Sequence, residues 1–149
     1  MSRANVCRLA LAVDDEPYLV TMSYGLVADN GYTLYLHSAG AGKKTDMIRR
    51  NPRVCFTVDG RHYVEPGDEP CRWTVRYESI VGYGTIRIVT DETERRVGLD
   101  AIMRQHGAEP PFNYANAALD QAVVLRLEVD ELTGKSNLPA GDPSDGVAG

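Results

Sequence analysis

The feature that most constrains the fold is a succession of β-type runs separated by turn signals, without regular alternation between strands and helices. The run Ala122–Val129 shows the pattern clearly, because apolar and other side chains alternate with the period of two that a half-buried strand requires. Asp29-Asn30-Gly31 is a hairpin signal, since asparagine and glycine tolerate the positive φ of tight turns. This order indicates an antiparallel barrel with helices packed at its edges.

Six segments have strand-type composition and are predicted to form the barrel: Val6–Val13, Tyr18–Val27, Tyr32–Leu36, Arg53–Val58, Cys71–Val89 and Ala122–Val129. Glycines at positions 82 and 84 interrupt the fifth run and indicate a bulge, a barrel corner or the close approach of a ligand. The polar segment Gly60–Pro70 contains two prolines and is predicted to be a loop or lid.

Two helices are expected between these strands. Lys43–Arg50 reads as a short helix that Asn51-Pro52 ends, because the residue before a proline avoids the helical region. A second helix begins at the capping pair Asp91 and Glu94, runs to about His106, and carries an apolar stripe of Val97, Ala101 and Ile102. One or two further helical turns are possible within Asn113–Leu119.

Composition narrows the class of protein. The length of 149 residues fits one domain, predicted over residues 1–138, with a disordered tail over 139–149. The net charge of −5 argues against nucleic-acid binding through a general basic surface. Three cysteines without a CxxC motif, no signal peptide and no membrane-length apolar run favour a cytoplasmic protein with reduced thiols. Three separated histidines give little sign of a metal site.

The segment from Ser38 to Lys44 is electrostatically unusual. Lys43 and Lys44 occupy the first turn of a helix, where the helix dipole disfavours cations by roughly 0.3–1 kcal/mol. Flanking glycines expose backbone N–H groups, so the segment can form a cradle for an anion such as a phosphate dianion. Lysines that point into water are an equally good interpretation. The spacing is not that of a P-loop, which excludes a nucleoside triphosphatase.

Several stretches together resemble one family. Leu34–Ala39, Gly42–Lys44 and Asn51–Phe56 are similar to the flavin-binding split barrels related to pyridoxamine 5′-phosphate oxidase, and within them to the nitroimidazole-resistance branch. Matching stretches follow in the same order over residues 5–138: Pro17–Gly25, Cys71–Gly84, Val124–Leu127 and Leu132–Lys135.

The resemblance implies a mainly β fold, a six-stranded antiparallel split barrel with flanking helices, and a homodimer with two FMN sites at its interface. It places Ser38 and Lys44 on the FMN phosphate, with Lys43 assisting or facing solvent. Other residues are implied along the flavin within one subunit, namely Val20, Thr21, Met22, Leu36 and His37. Glu78, Ser79 and Val81 are implied to reach it from the partner subunit. Basic ligands for a substrate phosphate near the C-terminus are missing, which disfavours vitamin B6 oxidation.

The function that follows is an FMN-dependent oxidoreductase that takes electrons from a reduced nicotinamide or another donor and reduces a small planar or nitro-aromatic acceptor. His37 is the candidate catalytic residue, because histidine exchanges protons near neutral pH; a structural histidine is the alternative. A non-catalytic flavin store or sensor remains open, as does a split barrel that binds haem or the deazaflavin F420. Trp73 either packs at the barrel or dimer interface or covers the flavin.

Overall fold

The computed structural model describes residues 1–115 and 122–140. Six antiparallel strands form one barrel in the order β1-β2-β3-β6-β5-β4. The strands are β1 (Val6–Val13), β2 (Glu16–Val27), β3 (Thr33–Ala39), β4 (Arg53–Glu65), β5 (Thr74–Ile88) and β6 (Ala122–Ser136). Two α-helices, α1 (Lys43–Arg50) and α2 (Glu92–Gln105), and one 3₁₀ turn (Pro70–Arg72) complete the described elements. The predicted mainly β barrel with flanking helices is confirmed.

The barrel interior is filled by alternate side chains of the strands, as the period-two pattern requires. The inward-facing positions are all apolar or aromatic and are nearly inaccessible to solvent: Cys7, Leu9, Met22, Tyr24, Leu34, Leu36, Phe56, Ile86, Leu125 and Leu127. Burial raises the pKa of the Cys7 thiol to about 11, so this cysteine stays protonated near neutral pH. The side chains that can bind a ligand must therefore lie on the outside of the barrel or at its ends.

Helix α2 packs unusually close to β2 and β3 because glycines lie at the contacts. A Cβ atom on Gly25 would lie 2.2 Å from the carbonyl carbon of Ala101, so β2 can touch the helix backbone directly. The predicted start of this helix is confirmed, since the Asp91 carboxylate accepts a hydrogen bond from the Glu94 N–H at 2.8 Å. The predicted apolar stripe is only partly right: Ala101 is buried, but Val97 is 47% exposed.

Four strands extend further than the sequence predicted: β2 begins at Glu16, β3 ends at Ala39, β4 ends at Glu65 and β6 ends at Ser136. β3 continues through Ala39, because its last residues pair with the start of β6. β4 runs to Glu65, so the expected loop or lid over Gly60–Pro70 is wrong for its first half, where the chain pairs with β5 after a register shift. This hairpin is solvated on much of its surface, and its polar composition therefore resembles that of a loop.

The two glycines of β5 do not break the strand. A Cβ atom on Gly82 would lie 2.4 Å from the Phe56 ring, and one on Gly84 would lie 2.1 Å from the carbonyl oxygen of Glu128. They make room for a core side chain and for close contact with β6, where the register shifts between Tyr83 and Gly84.

Two expectations fall largely outside the described residues. Within Asn113–Leu119, only 113–115 are described, and they have no regular structure; of the tail 139–149, only 139 and 140 are described. Among the helices that are described, none is long and apolar enough to cross a membrane.

A charged network fixes α2 to the sheet. One Glu94 carboxylate oxygen accepts hydrogen bonds from Arg87 on β5 at 2.6 Å and from Arg126 on β6 at 3.0 Å. Burial acts to raise the pKa of the Glu94 carboxyl, but the hydrogen bonds and charges of the two arginines outweigh it and lower the pKa overall. The ionised carboxylate thus stabilises the docked helix.

We expect Glu94→Gln to lower the free energy of unfolding at pH 7 by about 1–3 kcal/mol, the range for hydrogen bonds to charged groups. Because the folded-state pKa is lowered, the contribution is present above the unfolded pKa of about 4.3 and is lost as the pH falls through the folded value. Urea denaturation at pH 7 and at pH 3.5 measures the difference. Glu92→Gln, an exposed charge on the same helix, is the control; equal losses in both variants at pH 7 would contradict the assignment.

Candidate functional site

The barrel opens between β2 and β3. β2 pairs with β1 from Glu16 to Ser23, whereas β3 pairs with β2 only from Leu36 back to Thr33. Past Leu36, β3 moves away from β2 and pairs with β6 alone. This separation leaves one edge of β2 uncovered by a described strand.

The backbone of Thr21 faces that opening. The N–H of Tyr24 donates to the carbonyl of Asn5 at 3.1 Å, on the β1 side, and the direction of backbone groups alternates along a strand. The N–H and C=O groups of Thr21 therefore point away from β1, and its side chain is exposed on the outside of the barrel.

Three of the predicted flavin contacts lie on the other face of their strands. The side chains of Met22 and Leu36 lie in the barrel core, and half-buried Val20 packs against that core. Strand alternation turns the side chains of Met22 and Leu36 inward, so their predicted flavin contacts stay predictions that would be made through backbone groups.

Helix α1 begins beside this opening with an open N-terminus. Its N-cap, Gly42, has φ 125° and provides no side-chain cap. The first backbone hydrogen bond of the helix runs from the Asp46 N–H to the Gly42 carbonyl at 3.1 Å, so the preceding amides have no intrahelical acceptor. The Thr45 hydroxyl donates to the same carbonyl at 2.8 Å and does not cap these amides. The amides are free to bind an anion.

The two lysines of the first turn have different surroundings. The Lys43 ammonium lies 2.5 Å from the Glu16 carboxylate and 5.2 Å from the centre of the Tyr18 ring. Lys44 is half-buried and forms no hydrogen bond or ion pair with the described residues. Its burial lowers the pKa of the Lys44 ammonium. Lys44 is thus a partly desolvated cation that lacks a counter-charge, whereas Lys43 already has one.

His37 and Ser38 lie near the end of β3, next to the cradle that Lys44 and the N-terminus of α1 form. His37 is exposed on the outside of the barrel and is paired with Val124 of β6. Ser38 is half-buried and lies on the inward-facing side of the strand, in register with Val123. Both belong to β3 itself, whereas the sequence predicted that this strand ends at Leu36. The strand therefore fixes their positions more firmly than a loop would.

The remaining predicted contacts lie elsewhere in the barrel. Ser79 on β5 is in register with Asp59 and Lys135, and Glu78 forms an ion pair with Arg3 at 3.5 Å. Glu78 and Ser79 line a cavity of about 800 Å³ whose wall contains none of the cradle residues. A single protomer therefore does not bring the two groups of predicted residues together.

An open face with one mostly polar row and one apolar row extends from the cradle side of the barrel toward β5. One row of outward side chains crosses four adjacent strands in register, and a second row runs beside it: Thr21, Arg8, Thr57 and Val81; then Leu19, Ala10, Cys55 and Tyr83. Leu19 is 65% exposed and Tyr83 is 45% exposed. Leu19 could not be identified from the sequence, because its exposure on a strand is visible only once the register is known. We call these two rows the outer face.

The chain matches known proteins over nearly its whole length. The family profile described as pyridoxamine 5′-phosphate oxidase matches residues 1–136. Curated protein sequences yielded no match.

Solved structures share the fold. A candidate 5-nitroimidazole antibiotic resistance protein from Bacteroides thetaiotaomicron is 33% identical, with a TM-score of 0.76 over 89% of this chain and 77% of the other. A FAD-binding protein from Mesorhizobium loti is 28% identical, with a TM-score of 0.60 over 89% and 86% of the two chains. A FAD and heme binding protein from Mycobacterium smegmatis shares the fold at 19% identity, with a TM-score of 0.74 over 97% and 72%. With its barrel, its helices and this match, the chain belongs to the pyridoxamine 5′-phosphate oxidase family, a flavin-binding family.

Proposed function

We propose that this protein is a homodimeric FMN-dependent oxidoreductase that reduces a small planar or nitro-aromatic acceptor with electrons from a reduced nicotinamide or another donor. The observation that carries the proposal is the partly buried ammonium of Lys44, without a counter-charge, beside the uncapped N-terminus of α1. Cys7, Cys55 and Cys71 are free thiols, and free thiols are typical of proteins in a reducing cytoplasm.

A phosphate monoester suits this cradle. Its two negative charges would supply the counter-charge that Lys44 lacks and would accept hydrogen bonds from the free amides of the first helical turn. Burial of an unmatched ammonium is unfavourable, so the cradle gains most from a ligand that carries its charge at one compact end. Ser38, near the adjacent end of β3, would add a hydroxyl.

The other residues near the opening would orient the rest of the cofactor. The backbone of Thr21 offers a donor and an acceptor along the uncovered edge of β2, which suits the polar edge of a flavin ring. A bound flavin supplies reversible two-electron redox chemistry, and the protein supplies binding and orientation. The exposed imidazole of His37 would hold or deliver a proton for the acceptor at the outer face.

A second subunit would complete the site. The outer face exposes the large apolar side chains of Leu19, Tyr83 and Val81, as a surface that another protein covers does. It carries Thr21 near one end and Val81 at the other. A two-fold axis across this face would bring the β5 end of one protomer toward the cradle of its partner. Ser79, Glu78 and Val81 of the partner subunit would then reach the flavin, although they lie outside the cradle within one chain.

FMN is preferred over the cofactors named for the structural relatives. The phosphates of FAD form a diester pyrophosphate without a dianionic end, whereas a terminal phosphate monoester would supply the two charges that suit the α1 cradle. Haem would rely on a ligand such as His37. A bound flavin with no turnover would indicate a store or sensor. Absorbance spectra of the purified protein separate haem from flavin, and anaerobic bleaching by a reduced nicotinamide separates an enzyme from a sensor.

We expect Lys44→Ala to weaken FMN binding about 10- to 100-fold, which corresponds to the roughly 1.5–3 kcal/mol of a hydrogen bond to a charged group. Lys43→Ala is the matched control, because it removes the same charge from the adjacent position but only breaks the ion pair with Glu16. Quenching of FMN fluorescence during titration gives both dissociation constants. Equal losses in the two variants would show that the phosphate lies elsewhere.

Tyr83→Arg should convert the protein to monomers and weaken FMN binding, because the substitution buries an unpaired charge where the β5 end of one protomer packs against its partner. Val97→Arg is the control, since Val97 on α2 has nearly the same exposure, 47% against 45%, but lies off the outer face. Sedimentation velocity and FMN titration provide the measurements. A Tyr83→Arg dimer with unchanged FMN affinity would contradict the proposed interface.

A further inference from the structure

The β4–β5 hairpin continues past the barrel as a two-stranded arm, residues 62–77. Here β4 and β5 pair with each other, and the described pairing of β1 with β4 and of β6 with β5 ends before this part. Asn137 holds the base of the arm, since its side chain accepts a hydrogen bond from the Tyr77 N–H at 2.7 Å and donates one to the Val75 carbonyl at 2.9 Å. The arm is thereby fixed against the end of β6.

The two sides of the arm differ in chemistry. On one side, the Arg76 guanidinium donates to the Glu65 carboxylate at 2.6 Å. On the other side, Val64 and Val75 form a cross-strand pair and are 58% and 50% exposed. Trp73 has extended backbone two residues before Val75, so it lies on this second side, and it is 57% exposed. We call Val64, Trp73 and Val75 the apolar side of the arm. A two-stranded hairpin is marginally stable in water by itself, so a cover for this side is expected.

The apolar side of the arm is continuous with the outer face along β5. Trp73, Val75, Val81 and Tyr83 are separated by even numbers of residues, and side chains alternate along a strand. The register shifts at both neighbours of β5 leave this strand regular, because the extra residues lie in β4 and in β6. All four side chains therefore lie on the same side of β5, and a protein that covers the outer face meets the arm next.

The size of the outer face indicates what covers the arm. With strands about 4.8 Å apart and about 3.3 Å per residue, its two rows over four strands cover roughly 250 Å². A stable homodimer usually buries about 800 Å² on each partner, so the two rows alone are too small. The arm adds roughly 200 Å² by the same measure, and two-fold symmetry adds an equal area where the partner's arm lies. With the arm included, the contact approaches the size of a stable dimer interface.

We propose that the arm of each protomer packs its apolar side onto the second copy of the chain and so clasps the dimer. The inference rests on the proposed function for the position of the two-fold axis, and it places Trp73 against the partner. The turn of the arm carries Asp68 and Glu69, whose charges disfavour an anionic membrane surface as the alternative occupant. Ser79 lies two residues beyond the arm, so the clasp would also hold in place the residue that is expected to reach the flavin of the other subunit.

The first test uses Trp73, which is the only tryptophan of the chain and therefore reports directly on the clasp. At equal FMN occupancy, we expect the wild-type dimer to emit at shorter wavelength and to be quenched less by acrylamide than the Tyr83→Arg monomer, in which the arm is left in water. Equal emission and equal quenching in dimer and monomer would overturn the inference. So would a tryptophan that becomes shielded only when phosphatidylcholine vesicles are added, because the occupant would then be a lipid surface.

The second test compares two valines of nearly equal exposure, Val75 on the arm at 50% and Val97 on α2 at 47%. Val75→Asp places an unpaired charge on the apolar side of the arm, and Val97→Asp is the matched control. Sedimentation velocity over a dilution series measures the dimer dissociation constant, which we expect Val75→Asp to raise at least about tenfold and Val97→Asp to leave unchanged. Equal constants in the two variants would contradict the clasp. Both positions are exposed in the protomer, so neither change should disturb its fold.

The clasp and the proposed function fail in different ways. A Tyr83→Arg variant that stays dimeric would contradict the interface at the outer face; tryptophan emission during dilution of the wild type then tests the arm, and an emission maximum that stays constant while the dimer dissociates overturns the clasp. A protein that binds no FMN would refute the proposed function, whereas sedimentation of the two valine variants needs no flavin. A wild type that is monomeric at every concentration would overturn both the dimer and the clasp.

Discussion

The separation of β3 from β2 after Leu36 is the constraint on which the arrangement of the site depends. It leaves the edge of β2 open at Thr21, carries His37 and Ser38 along β6, and allows Gly42 to start α1 beside the opening. The barrel core tolerates the gap because the inward side chains of both strands remain packed. A donor-rich helix end, one unmatched ammonium and an open strand edge thus meet in one place.

The charge pairing around α1 sharpens this arrangement. Glu16 neutralises Lys43, and no described residue neutralises Lys44, so two adjacent residues of the same type have different capacities to bind an anion. Such a difference requires tertiary structure, because it depends on where the β1–β2 hairpin places Glu16. The same reasoning applies to the outer face, whose residues come from strands that only the barrel makes neighbours.

Local signals in the sequence were sufficient for much of the fold. Helix α1 has the predicted bounds Lys43–Arg50, since a proline ends it, and the Asp91 cap of α2 forms as predicted. The outer part of the β4–β5 hairpin was missed, because its polar residues are held in a strand by pairing and not by burial. The exposure of Val97 was missed because Gly98, not Val97, faces Tyr35 across the helix contact.

The central claim is that the cradle of Lys44 and the α1 N-terminus binds the terminal phosphate of a flavin. Comparison of FMN with riboflavin, which differs only by that phosphate, tests the claim most directly. The free energy expected from a charged hydrogen bond and the helix dipole together, about 3 kcal/mol, predicts that FMN binds on the order of 100-fold more tightly than riboflavin. Equal affinity for the two flavins would contradict the account.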